Sequence, residues 1–101
     1  MKEVFLADTV RKMVLVDTIE KVKHFITLTN TCPCDIDIIS GRHNVNAKSI
    51  MGMFSINLDK PIELRIYDTN KADKVIEILK EFIVDVEPPA VTDPYEKVII
   101  L

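Results

Sequence analysis

Apolar and polar residues alternate along this chain in two rhythms, and the switches between them mark its elements. Met13-Val14-Leu15-Val16 is a β-branched-rich apolar run, which predicts a strand over Val10–Val16 buried on both faces or nearly so. Asp35-Ile36-Asp37-Ile38-Ile39-Ser40 alternates polar and apolar residues, the period of a strand with Ile36 and Ile38 turned inward. Gly41-Arg42-His43 reads as a hairpin turn returning through Asn44-Val45-Asn46, with Val45 inward. In Ile62–Tyr67 the alternation is clearest: Ile62, Leu64 and Ile66 point one way, and Glu63, Arg65 and Tyr67 the other.

Elsewhere the spacing lengthens to three and four residues. Ile19, Val22, Phe25, Ile26 and Thr29 form one stripe, predicting a helix to about Asn30 that ends before Pro33. Asp17 is its expected N-cap, with Glu20 three residues later completing a capping box. A second stripe, Ala72, Val75, Ile76, Leu79, Phe82 and Ile83, predicts a helix that starts after Asp68-Thr69 and runs to about Phe82. Between them lies Ala47-Lys48-Ser49-Ile50-Met51-Gly52-Met53-Phe54-Ser55. Ser49 is placed to cap a short helix whose Ile50, Met51 and Phe54 recur at helical spacing. So short a helix survives only by packing or docking its apolar side chains. Gly52 inside it costs roughly 0.5–1 kcal/mol relative to alanine, which points to a close approach there. Strands with one apolar face and helices with one apolar stripe combine most economically as an α+β two-layer sandwich, an antiparallel sheet with the helices on a single face.

The 101 residues suit one compact domain. The net charge of −3 is mild, and lysines are interleaved with acids. No basic stripe of the kind that binds nucleic acid is present. No apolar run approaches the roughly 18 residues that span a bilayer, and Val4-Phe5-Leu6-Ala7 is too short for a signal peptide. The expected location is therefore the cytoplasm. There Cys32 and Cys34, separated only by Pro33, are expected to be thiols. Their spacing, even with His24 or His43 added, is neither that of a zinc site nor that of a redox pair. No Ser/His/Asp arrangement, glycine-rich phosphate loop or paired-carboxylate motif occurs, so no cofactor or metal is expected.

Beyond Val84 the composition shifts. Pro88-Pro89 and Pro94 break any helix, and the chain given runs to Tyr95-Glu96-Lys97-Val98-Ile99-Ile100-Leu101. The apolar run suits a strand added to a sheet edge, in this chain or in a neighbouring one, and a disordered tail is the third reading. The expected organisation is an N-terminal arm over 1–9, a domain over 10–84 and a Pro-rich extension over 85–101.

Lys48-Ser49-Ile50-Met51-Gly52, preceded by Asn44-Val45-Asn46 and followed by Phe54-Ser55, resembles the motif around the regulatory serine of HPr, the histidine phosphocarrier of the bacterial sugar phosphotransferase system. The order of elements over residues 10 to 84 is similar as well. The resemblance implies an open-faced sandwich with a four-stranded antiparallel sheet, two long helices and one short helix on one face. It also implies phosphorylation at Ser49 and partner docking through Lys48, Ser49, Ile50, Met51 and Phe54. The competing arrangement turns Ile50 and Phe54 into the sheet; a split is expected, with Met51 and Met53 toward solvent. An active carrier of this family presents a histidine at the head of the first helix, followed closely by arginine and proline. Here that place holds Asp17-Thr18-Ile19-Glu20-Lys21, with negative charge where a phosphoryl group would sit, and His24 lies well inside the helix.

The function expected is thus a regulatory or binding protein of bacterial carbon control, not an enzyme and not competent for histidine phosphotransfer. Its partners, by resemblance, are phosphotransferase-system components, a serine kinase or a transcriptional regulator. The alternative is an assembly domain on the same scaffold that forms homo-oligomers through residues 95–101.

Overall fold

The computed structural model describes residues 9–89. Its elements run β1 (Val10–Val14), α1 (Ile19–Thr29), β2 (Ile36–Ser40), β3 (His43–Asn46), α2 (Ile50–Phe54), β4 (Ile62–Ile66), α3 (Thr69–Leu79), a 3-10 turn (Lys80–Phe82) and β5 (Ile83–Val84). The strands form one sheet in the order β3-β2-β4-β1-β5, every neighbour antiparallel. Among the described residues the sheet therefore has five strands rather than the expected four. β5 reads in the sequence as the tail of a helical stripe. Once the last helical turn tightens to 3-10 geometry, Ile83 and Val84 become extended and pair with Val14 and Met13.

One face of the sheet carries the helices. Val14, Ile36, Ile38, Ile62, Leu64 and Ile66 are buried there, and Val22, Phe25, Ala72, Val75 and Leu79 of the long helices complete the core. Phe25 meets Phe82 edge-on, with ring centroids 5.3 Å apart, the favoured geometry for aromatic pairs. Ile36 and Ile38 face inward as their alternation predicts, and Val45 packs against the core from β3.

Three local expectations are corrected. The cap of α1 is Thr18, whose Oγ1 accepts the Lys21 N–H at 3.1 Å. The Asp17 carboxylate, one residue too early for that role, instead takes the Lys21 ammonium at 3.0 Å. Ile19, expected in the buried stripe, is the first residue of α1 and is 58% exposed. β1 ends at Val14, although Val16 is still buried. The expected strand over residues 95–101 and nearly all of the N-terminal arm lie outside the described residues.

The other face holds two cross-strand rows. Val84, Met13, Glu63 and Ile39 stand in register across β5, β1, β4 and β2, and Arg11, Arg65 and Asp37 form the next row. Glu63 is only 4% exposed. Its carboxylate accepts from Arg11 Nε at 2.6 Å, Arg11 Nη2 at 3.1 Å and Arg65 Nε at 2.5 Å. Burial by itself would raise its pKa, but the two guanidiniums more than reverse this and hold it below the usual glutamate range.

Candidate functional site

The segment entering α2 is held from several sides. As β3 ends, Ala47 N–H donates to the Ile36 carbonyl at 2.9 Å, and the Asn46 side-chain oxygen accepts the Lys48 N–H at 2.8 Å. From α1, the buried Thr29 hydroxyl donates to the Ala47 carbonyl at 2.8 Å. Asn30 Nδ2 donates to the Lys48 carbonyl at 3.2 Å. The chain therefore reaches Ser49 on a fixed path. Ser49 is extended, with φ −102° and ψ 115°, and its hydroxyl accepts the Gly52 N–H at 3.1 Å, the bond expected of an N-cap. Replacing Ser49 with alanine is expected to cost about 1 kcal/mol, read as a lower urea midpoint with an unchanged slope.

Gly52 makes the close approach that its mid-helix position implied. A Cβ there would lie 3.2 Å from Val45 Cβ on β3, tighter than ordinary carbon contact, so α2 sits directly on the sheet edge. The orientation of the helix follows. Met53 is completely buried, while Ile50 is 43%, Met51 78% and Phe54 47% exposed. Met53 thus faces inward, contrary to the expected split, and Ile50 and Phe54 do not turn into the sheet. The outer surface of a helix of five residues is an apolar patch anchored by one methionine. Lys48, expected in the docking surface, extends its ammonium to the Cys32 carbonyl at 3.1 Å and braces the loop after α1.

The head of α1 lies in a different setting. Lys21 holds the Asp17 carboxyl below its ordinary pKa through their hydrogen bond, so this end of the helix carries an ionised acid. Neither histidine is found there. His24 Nε2 faces Glu81 Oε1 at 3.2 Å, and its ring lies 5.7 Å from that of Phe82. His43 is exposed at the start of β3. Burial raises both thiols, Cys32 and Cys34, which favours their protonated form at neutral pH. Among the described residues no group of three or more histidines, cysteines and acids comes together to hold a metal. No described helix is long and apolar enough to cross a membrane.

The sequence matches, over residues 19–85, the family model described as "PTS HPr component phosphorylation site". Among solved structures, the chain is similar to the phosphocarrier protein HPr from Bacillus anthracis str. Ames, with a TM-score of 0.60 and 25% identity. That match covers 73% of this chain and 96% of the other. No curated protein matches the sequence. The family span takes in α1, the capped helix α2 and its exposed patch, and the sheet order and helix layer are those of the open-faced sandwich. The chain belongs to the HPr family, the phosphocarrier component of the phosphotransferase system.

Proposed function

We propose that this chain is a regulatory binding member of its family, which docks protein partners through the outer surface of α2 and does not relay phosphoryl groups on a histidine. The observation that carries this reading is the head of α1. Thr18 occupies the cap, Asp17 is ionised beside it, and the two histidines of the sequence lie elsewhere. A phosphoryl group brings nearly two negative charges. At the helix head it would meet Asp17 and Glu20, and on His24 it would meet Glu81 at hydrogen-bond distance.

Docking through Ile50, Met51 and Phe54, flanked by Lys48 and Ser49, is supported by their shared exposure on a helix whose inward side is held by Met53. Methionine's flexible, polarizable side chain suits a surface that meets more than one protein. Phosphorylation of Ser49 would add charge at the amide end of α2, where the helix dipole favours it, and next to the patch a partner must cover. Capping and modification are compatible roles for one hydroxyl. The partners this reading implies are cytoplasmic phosphotransferase-system components, a serine kinase and a transcriptional regulator.

Incubation with the general phosphotransferase components and labelled phosphoenolpyruvate is expected to leave the chain unlabelled. An acid-labile phosphohistidine at His24 or His43 overturns the reading. With ATP and the serine kinase of a related system, label is expected in the wild type and absent in Ser49→Ala; label retained in that variant removes the regulatory half.

A further inference from the structure

We propose that Asp85–Pro89 is a strap closed over the helix-free face of the sheet, fastened by Arg11, and that it shields the β5 margin of the sheet from other chains. The sequence reads these residues as the start of a Pro-rich extension; their contacts make them part of the domain. β5 ends after two residues. Val86 N–H then donates to the Val84 carbonyl at 3.0 Å, a bond across two residues that bends the backbone sharply. The Arg11 guanidinium donates to the Pro89 carbonyl. Arg11 stands in β1 opposite Arg65 of β4, so a chain that reaches it from β5 has turned back over the sheet.

Burial agrees with this path. Met13 lies two positions from Arg11 along β1 and so shares its face. It is only 7% exposed although it stands outside the helix-side core. Val86 and Pro88 line one cleft with it, of about 420 Å³, and Pro88 is half-buried between exposed neighbours. The same cleft is lined by Lys12 and Arg11 of β1 and by Asp85 and Glu87 of the strap. The strap thus brings apolar residues to Met13 and two acids to a strand that offers two bases. Arg11 is suited to fasten it because Glu63 already holds the guanidinium, accepting from Nε at 2.6 Å and from Nη2 at 3.1 Å. A fork oriented in advance loses little freedom on taking one more acceptor. Among the described residues β5 is the outer strand on this side, and covering a sheet margin with a loop is one way natural proteins keep further chains from adding to it.

The test uses the full chain labelled at its methionine and valine methyls. Nuclear Overhauser contacts are expected between the Met13 methyl and Val86 or Pro88. Arg11→Met keeps an apolar stem and removes the fastener. There the contacts are expected to weaken and the Val86 amide to exchange about tenfold faster, in keeping with the loss of a hydrogen bond to a charged group. Lys12→Met, in the same cleft, is expected to change neither. Pro88→Gly is expected to bare the Met13 methyl without removing Glu63 or its arginines. Both opened variants are expected to self-associate, seen as a solution mass that rises with concentration above that of the unmodified chain. If Arg11→Met unfolds, the Met53 methyl moves as well, and Pro88→Gly decides. Absence of the Met13 contacts in the unmodified chain overturns the proposal. Equal loosening by Lys12→Met overturns the role of Arg11, and opened variants that keep the mass of the unmodified chain overturn the shielding.

Discussion

Met53→Ala is expected to destabilise the protein by about 2–5 kcal/mol, the range for truncating a fully buried methionine, and to lower the melting temperature by at least about 8 °C. Met53 has no exposed surface, and it is the one residue of α2 that is fully buried. A helix of this length cannot hold itself together through its own hydrogen bonds. Once the anchor is shortened, no fully buried side chain of α2 itself remains, and the helix is left to the Ser49 cap, the close approach of Gly52 to Val45 and the bonds that fix its entering segment. Beyond the global loss, amide exchange at Gly52 and Met53 is therefore expected to accelerate more than exchange in β2 or β4. Met51→Ala is the control. Two positions away and 78% exposed, it is expected to change stability by no more than about 0.5 kcal/mol. Equal effects of the two substitutions would mean that the inward and outward sides of α2 are misassigned, and the docking surface with them.

The second large effect is expected at Glu63. Glu63→Gln removes a buried carboxylate that satisfies two guanidiniums, and hydrogen bonds to charged groups contribute about 1.5–3 kcal/mol. Arg11 and Arg65 are 26% and 20% exposed, so water takes up part of what they lose, and the expected cost is about 2–3 kcal/mol. The pH dependence follows from the direction of the shift. The folded state holds Glu63 below the ordinary glutamate value, so its contribution is complete above the unfolded pKa, about 4.3. It is lost as pH falls from there through the lower folded value. Unfolding free energies measured from neutral pH down to acid should thus show the wild type and Glu63→Gln converging at low pH. A constant gap would mean that the carboxylate's charge is not what stabilises this face.

The sequence settles most of what repetition can express. Ile36 and Ile38, Ile62, Leu64 and Ile66, and the stripes through Val22 and Phe25 and through Val75 and Leu79 all face where their spacing places them. Each belongs to an element long enough to show a period. The Ser49 cap was equally legible, because its partner Gly52 is only three residues away. The exceptions involve short elements or distant partners. α2 spans little more than one turn and has no second repeat to separate Met51 from Met53; the approach of Gly52 to Val45 makes that choice. β5 continued a helical stripe in the sequence and became a strand only because β1 lay beside it. Thr18 displaced Asp17 as the cap through a difference of one residue in where the helix starts.

By itself, then, the sequence determined the alternation of strands and helices, the capped apolar stretch after β3, and the acidic head of α1 that carries no histidine. Only the tertiary structure decided that Ile50, Met51 and Phe54 all reach solvent, and that Glu63 lies buried between two arginines, one of them 52 positions away. The physical reason is the range of the forces involved. Backbone spacing and caps act between residues a few positions apart and leave a period to read. Burial and ion pairing depend on which distant segments the sheet brings side by side.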